Sequence, residues 1–162
     1  MNQASFEKEA AGTRLNTMDP TLTALQRQLA CYHKLAQLAD VQHTCVEQNR
    51  TRDLMQILGQ RQEVLDQIAD LEQVIGPAKR RWSDYLTELP ADDRGVAEKM
   101  LAETRQLLER ITRVDTDDSL ILQQRKLSVS RDVQRTIVAQ RVNRSYAAAA
   151  YMKRPASVDV QK

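Results

Sequence analysis

The chain has 162 residues, of which 41% are hydrophobic and 4% aromatic, and a formal net charge of +2. Leu, Ala, Gln, Arg and Glu dominate, as in long helices and coiled coils, and four Gly and four Pro without alternating β-branched runs leave little case for a sheet. No apolar stretch approaches the roughly 18 residues that span a bilayer and the polar N-terminus lacks the apolar core of a signal peptide, so we expect a cytoplasmic protein without a membrane span.

The first predicted element is a helix that begins near Asp19-Pro20-Thr21, because an acceptor side chain followed by Pro is typical of a helix start. Residues 1–19 are polar and without periodicity, so we expect this segment to be disordered. From Thr21 to about Asn49, apolar residues recur with helical spacing. They are Leu22, Leu25, Leu29, Tyr32, Leu35, Ala36 and Ala39.

The second predicted helix carries the clearest coiled-coil seam of the chain. A turn is expected at residues 49–53, with Thr51 or Asp53 capping the helix that follows. Three- and four-residue spacings then define the seam Leu54, Ile57, Val64, Ile68, Leu71 and Ile75. Arg61 interrupts it, either by snorkelling at the rim of a packing layer, which is the commoner arrangement, or as a polar seam residue that fixes the register.

Gly76-Pro77 is predicted to end the second helix at Ile75, because Gly terminates helices and Pro suits the first turn of a new one. A short helix follows and stops near Pro90. Its apolar side is Trp82, Tyr85, Leu86 and Leu89. Trp82 with Tyr85 is expected to close one end of the bundle, the alternative being a recognition site.

A long last helix is predicted from residue 93 to about residue 152, with Asp92 and Asp93 as N-caps. Its first apolar stripe is Val96, Met100, Leu101, Leu107, Leu108, Ile111 and Val114. After an interruption at residues 115–119, a second stripe is displaced from the first, so the helix is either kinked or meets a different partner there. The second stripe is Leu122, Val129, Val133 and Ile137.

This last helix is longer than the other two helices can cover. At 1.5 Å per residue it would run roughly 90 Å, against roughly 42 Å and roughly 38 Å for the first and second helices. The part after Ser119 is therefore expected to lack a partner within the chain. An apolar stripe that stays uncovered is a candidate docking surface.

Charge is divided unequally along the chain. Residues 119–162 hold nine Lys/Arg and two Asp/Glu, whereas residues 1–118 hold fifteen Lys/Arg and twenty Asp/Glu. A basic end can meet an acidic protein surface, lipid or nucleic acid. Because the cations form no blocks and are not interleaved with aromatics, nucleic acid is the least favoured of these partners.

Cysteine and histidine form a mirrored pair, Cys31-x-His33 and His43-x-Cys45, that invites a zinc hypothesis. Residues two apart on one helix diverge by roughly 200°, and residues 31 and 45 would lie about 21 Å apart, so four ligands cannot converge. We therefore predict no metal. Because two cysteines in a cytoplasmic helical chain are no disulfide framework, we expect both to stay reduced. Asp115-x-Asp117-Asp118 starts like a calcium loop but lacks the later glycine and glutamate. Without a nucleophile elbow, phosphate loop or dinucleotide motif, we expect neither an enzyme nor a cofactor.

These elements together predict an all-α fold, an elongated antiparallel helical hairpin or coiled-coil-like bundle of three to four helices with a long C-terminal helix. The expected organisation is a disordered segment at residues 1–19, a helical domain at residues 20–152 and a disordered tail at residues 153–162.

Four features follow one another in the sequence. They are a leucine-rich first helix, Gln60-Arg61-Gln62, Pro90-Ala91-Asp92-Asp93-Arg94 before the last helix, and the ending Asn143-Arg144-Ser145-Tyr146. In this order they resemble the FlgN-type flagellar export chaperones, over roughly residues 22–151. The resemblance implies a cytoplasmic chaperone that holds hook-filament junction (hook-associated) proteins unassembled and delivers them to the flagellar type III export apparatus.

The resemblance also implies where a client binds, because the last helix of that family grips the C-terminal helices of its client. Carried over to this sequence, the partner-binding residues are Val129, Val133, Ile137, Arg141, Val142 and Tyr146. The expected partners are hook-associated proteins and components of the export apparatus, with no small-molecule substrate.

Two other functions are compatible with the same residues. A structural coiled-coil protein would use the stripes to associate with its own copies. A nucleic-acid-binding protein would use the basic C-terminal part, and its affinity would fall steeply with salt.

Overall fold

The structure, a computed structural model, describes residues 19–152, with the side chain of Tyr151 left out. It contains α1 (Pro20–Glu47), α2 (Thr51–Arg80), α3 (Trp82–Glu88) and α4 (Ala91–Met152). The described residues form no strand, and the predicted all-α helical bundle is confirmed. Disorder is predicted for residues 1–19 and 153–162, and all of these except Asp19, the N-cap of α1, lie outside the described range. Among the residues described, no helix is both long and apolar enough to cross a membrane.

Helix α1 begins where the sequence predicts. The Asp19 carboxylate accepts a hydrogen bond from the Leu22 backbone N–H at 3.0 Å, and Pro20 occupies the first turn. The same carboxylate oxygen accepts a hydrogen bond from the Tyr85 hydroxyl at 2.9 Å. The cap of α1 therefore also attaches α3 to this end of the fold. Burial, and then the hydrogen bond to Asp19, raise the pKa of Tyr85.

The turn between α1 and α2 is a Schellman-type reversal. The Arg50 N–H donates to the Cys45 carbonyl at 2.9 Å and the Asn49 N–H to the Val46 carbonyl at 3.1 Å. Asn49 has a φ of 55°, a left-handed conformation that Asn adopts more readily than most residues. The prediction that Thr51 or Asp53 caps α2 is wrong.

Arg50 occupies the N-cap position of α2 without any side-chain cap hydrogen bond. The Asp53 carboxylate instead accepts a hydrogen bond from the Arg50 guanidinium at 3.1 Å.

Helix α2 continues through Gly76-Pro77 to Arg80, so the predicted end at Ile75 is also wrong. Pro77 removes one backbone donor from the helix, but Ile75 is fully buried and Ala78 packs against the same apolar cluster. Packing on both sides of the proline therefore holds the backbone helical. The chain turns at Arg81, whose N–H donates to the Ala78 carbonyl at 3.1 Å.

The short α3 agrees with the prediction, and Leu89 is extended before Pro90, as a residue preceding proline prefers. Because α4 begins at Ala91, Asp92 and Asp93 lie in its first turn rather than at the N-cap. The predicted capping is wrong, but two carboxylates in the first turn still oppose the positive end of the helix dipole.

The structure divides into two units at Asp117/Asp118. In the first unit α1, α2, α3 and the part of α4 up to Asp117 enclose two apolar clusters. One consists of Leu22, Ala24, Leu25, Ile75, Tyr85, Leu89, Ala97 and Met100. The other consists of Leu35, Ala36, Ala39, Val64, Ile68 and Ile111. Since the end of α2 meets the starts of α1 and α4, α2 runs antiparallel to both.

The aromatic pair at the α2–α3 junction belongs to the first cluster. The rings of Trp82 and Tyr85 lie 5.5 Å apart between centroids, and Trp82 is half-buried against the cluster. The expectation that this pair closes one end of the bundle is confirmed. The second unit, from Asp118 onward, contributes only the remainder of α4 to the residues described.

Candidate partner-binding surface

Residues 126–150 form part of α4, and every one of them is exposed. The composition accounts for the helix, because Ala, Arg and Gln are good helix formers. The sequence has no Gly or Pro between Gly95 and Pro155. The polar residues 115–119 do not end the helix, which is continuous from Ala91 to Met152. The expectation that this stretch lacks covering residues agrees with its exposure.

Five of the six residues predicted to bind a partner carry large apolar or aromatic side chains, and all six are exposed. The exposed fractions are 62% for Val129, 51% for Val133, 45% for Ile137, 45% for Val142 and 73% for Tyr146, and Arg141 is also exposed. A protein core would bury such groups, and here they are exposed. The surface is therefore available to a partner.

The six residues do not share one face of the helix. Each residue of an α-helix advances by about 100°, so Val133 and Ile137 lie about 40° and about 80° from Val129. We call these three residues face A. Val142 lies about 140° from Ile137 and Tyr146 about 180° from it, so both point to another side of the helix.

Val142 belongs to a second apolar face that the sequence analysis missed. Val138 lies about 40° from Val142 and Leu127 about 60° from it, and both are exposed, by 57% and 59%. We call Leu127, Val138 and Val142 face B. The spacing of four residues between Val138 and Val142 was the signal that could have revealed it. The centres of faces A and B lie about 140° apart.

Both faces are bordered by positive charge. Residues 126–150 contain Lys126, Arg131, Arg135, Arg141 and Arg144 and a single acidic residue, Asp132. All of these side chains are exposed. An apolar strip bordered by guanidinium groups suits a helix that carries apolar residues between carboxylates, because the charged rim then favours the correct partner and speeds encounter.

A polar layer around the buried Arg61 holds the earlier part of α4 against α1 and α2. Arg61 is 9% exposed, and its guanidinium donates to both carboxylate oxygens of Asp115, with the Nη2–Oδ2 pair at 2.7 Å. The Gln42 side chain completes the layer by accepting from Arg61 and donating to Asp115 at 3.2 Å. Each of the three helices thus contributes one polar group.

Arg61 is therefore the polar seam residue that fixes register, and the expected position at the rim of the seam is wrong. The Arg61 hydrogen bonds hold the pKa of Asp115 below its usual range, against the opposing effect of burial. By sequence alone, Asp115 is expected to interrupt the apolar stripe of the last helix. Its position four residues after Ile111, about 40° away around the helix, is the signal that it faces the other helices.

Further polar contacts join the helices of the first unit. The His33 ring lies 2.8 Å from the Glu103 carboxylate, and Arg110 pairs with Asp40. These pairs are exposed and contribute little stability. They nevertheless run from α1 to α4, so they support the same register as the polar layer.

The mirrored Cys/His pairs do not form a cluster. All four lie on α1, where Cys31 Sγ is 3.8 Å from a Gln67 side-chain oxygen, Cys45 is buried, and His43 lies 3.4 Å from Glu47. The part of the chain described here contains no group of three or more potential metal ligands. The residues are spread along one helix, as the spacing predicts.

No protein-family model, curated protein or solved structure matches this chain.

Proposed function

We propose that this chain is a cytoplasmic chaperone of flagellar type III export that holds the C-terminal helices of hook-filament junction proteins on face A of α4. The observation that carries the proposal is that every residue from 126 to 150 is exposed, on a continuous helix with apolar strips and basic borders. The flagellar pathway is supported by the resemblance of the segment order and of the Asn143-Arg144-Ser145-Tyr146 ending.

Face A binds a client helix by apolar burial. Val129, Val133 and Ile137 follow one another at four-residue spacing, which is how a helix presents anchors to a second helix. Covering them removes apolar surface from water, which stabilises the complex by about 25 cal/mol per Å². Since they already stand on a formed helix, the ordering cost falls mainly on the client.

The borders of face A select the client. Lys126, Arg141 and Arg144 fall within about 40° of Ile137 around the helix. A client helix with carboxylates beside its apolar stripe pairs with these cations, whereas a basic helix is repelled. The chain thus acts as a binding protein rather than an enzyme, and it releases its client unchanged to the export apparatus.

Co-expression with hook-filament junction proteins tests the proposal. The double variant Val133→Asp/Ile137→Asp places two carboxylates on face A, and we expect it to lose client capture while keeping the helical signal and melting temperature of the parent. The matched control is Val74→Asp/Val96→Asp, since both valines are 49% exposed and lie within the first unit.

Two results would contradict the proposal. One is equal client recovery with the face A variant and with its control. The other is equal recovery with a chain that ends after Ser119. Retardation of DNA or RNA at low salt, abolished by the face A variant, would instead support a nucleic-acid-binding function.

A further inference from the structure

A third exposed apolar face, besides faces A and B of α4, lies on the outer side of α2. Met55, Leu58 and Leu65 are exposed by 64%, 42% and 42%, although they follow the three- and seven-residue spacing of a coiled-coil seam. Gln62 and Ala69 occupy the remaining positions of the same seam and are also exposed. The buried seam of α2, which includes Val64 and Ile68, lies on the opposite side and is satisfied by α1 and α4.

The outer face of α2 has an acidic border. Glu63, Asp66 and Asp70 all fall on one flank of Met55, within about 80° around the helix, and all are exposed. Arg52 is the basic residue on that flank. This surface therefore combines apolar side chains with a negative edge.

Face B of α4 has the opposite charge. Leu127, Val138 and Val142 are accompanied by Arg131 and Arg135, which lie on the same side of the helix, within about 80° of Val138. Asp132 lies about 120° from Val138 and therefore outside this face. A helix with this face complements a helix that is apolar with an acidic edge.

The two surfaces also match in length. From Met55 to Ala69 the outer face of α2 spans about 21 Å, and from Leu127 to Val142 face B spans about 22 Å at the same rise per residue. We propose that the chain associates with a second copy of itself, face B of one copy lying along the outer face of α2 of the other.

This association goes beyond the proposed function and does not depend on it. Face A lies about 140° from face B, so the contact between copies leaves Val129, Val133 and Ile137 uncovered. The contact is heterologous, because different surfaces of the two copies meet. Its energy comes from apolar burial, and its charged edges decide which surfaces pair.

Charge reversal with cross-complementation tests the interface on the full-length chain. We expect sedimentation velocity to show concentration-dependent association of the parent that weakens between about 50 mM and about 500 mM salt. Asp66→Arg/Asp70→Arg should weaken self-association at least about tenfold, and Arg131→Glu/Arg135→Glu should do the same, because like charges then meet. An equimolar mixture of the two variants should associate again, since the reversed edges are complementary.

The control is Glu98→Arg/Glu109→Arg, which makes the same charge change at two exposed positions away from both surfaces. It should associate like the parent. Asp66→Asn/Asp70→Asn should weaken association less than the reversal does, and circular dichroism should show unchanged helix in every variant.

Three outcomes overturn the proposal: a parent chain that stays monomeric, Arg131 and Arg135 variants that weaken association while Asp66 and Asp70 variants do not, or variants that fail to complement each other. The second outcome would indicate pairing between two copies of α4. Client capture by Asp66→Arg/Asp70→Arg should equal that of the parent, so a failure of this interface is distinguishable from a failure of the chaperone function.

Discussion

Two stretches of α4 share one helix and differ in what covers them. Residues 91–117 bury Ala97, Met100 and Ile111 against α1, α2 and α3, whereas residues 126–150 are exposed throughout. Both stretches contain valine and isoleucine at helical spacing. Apolar periodicity therefore indicates that one face of a helix is suited to packing. It does not indicate whether the packing partner belongs to the same chain.

Charge separates the two stretches as well. The earlier stretch contributes carboxylates to the first unit, with Asp115 paired to Arg61 and Glu103 beside His33. The later stretch presents arginines to solvent. Where the partner lies within the chain, polar groups on α4 have matching groups on α1 and α2. The arginines of residues 126–150 are exposed, and within this stretch Asp132 is the single acidic residue.

The largest effect is expected when the same substitution is made in the apolar cluster that covers the earlier stretch of α4 and in the exposed later stretch. Ile75→Ala removes a fully buried side chain and should lower the free energy of unfolding by about 2–5 kcal/mol. Ile137→Ala removes a side chain that is 45% exposed and should change it by less than about 0.5 kcal/mol. Urea unfolding followed by circular dichroism measures both, and similar losses would mean that residues 126–150 are packed.

A smaller effect is expected at the polar layer that ends the packed stretch. Arg61→Met leaves Asp115 and Gln42 without their shared donor and should cost about 1–3 kcal/mol of unfolding free energy. Arg110→Met removes the exposed pair with Asp40 and should cost less than about 1 kcal/mol.

Adding Asp115→Leu to Arg61→Met should recover part of the loss, because the unpaired carboxylate is removed. If the double variant loses more unfolding free energy than the two single variants lose together, the role assigned to this layer is wrong.

The smallest effect is a pH dependence confined to the packed stretch. The pKa of Asp115 is lowered from its ordinary 3.8, so the unfolded chain binds the proton more readily than the folded one. The stabilisation from this group is complete above the ordinary pKa and is lost as the pH falls through the lowered value. Asp115→Asn should therefore flatten the decline in melting temperature below about pH 4.

The pKa of Glu72 is lowered as well. Burial raises the pKa of Glu72, but hydrogen bonds from Lys79 and Gln28 together lower it by more, so the net shift is downward. The Glu72 contribution should persist in the Asp115→Asn protein and account for part of its remaining acid sensitivity. An unchanged pH profile in Asp115→Asn would show that the Arg61 contact does not stabilise the folded state.

Local signals predicted the helices well and their ends less well. Asp19-Pro20 started α1 because capping is a contact between near neighbours. Gly76-Pro77 did not end α2, because burial of Ile75 and packing of Ala78 outweigh the loss of one backbone hydrogen bond. Neither Thr51 nor Asp53 caps α2, because the Schellman turn at Asn49 reverses the chain and α2 begins at Thr51 itself.

The candidate surface was predicted in part for a similar reason. Val129, Val133 and Ile137 share a face because their four-residue spacing is a local property of a helix. Grouping them with Val142 and Tyr146 required following the helix through several turns, where a spacing of five or nine residues leads to the other side. Leu127 and Val138 were therefore overlooked, although they are as exposed as the residues predicted.

The sequence by itself determined that the chain is all-α, where its long helices lie, and that its last helix carries more apolar surface than the chain covers, since these follow from composition, spacing and helical rise. Only the tertiary structure decided that Arg61 is buried and paired with Asp115 and that α2 continues past Pro77. Both outcomes depend on groups far apart in sequence, whose burial and pairing outweigh the local preferences of single residues.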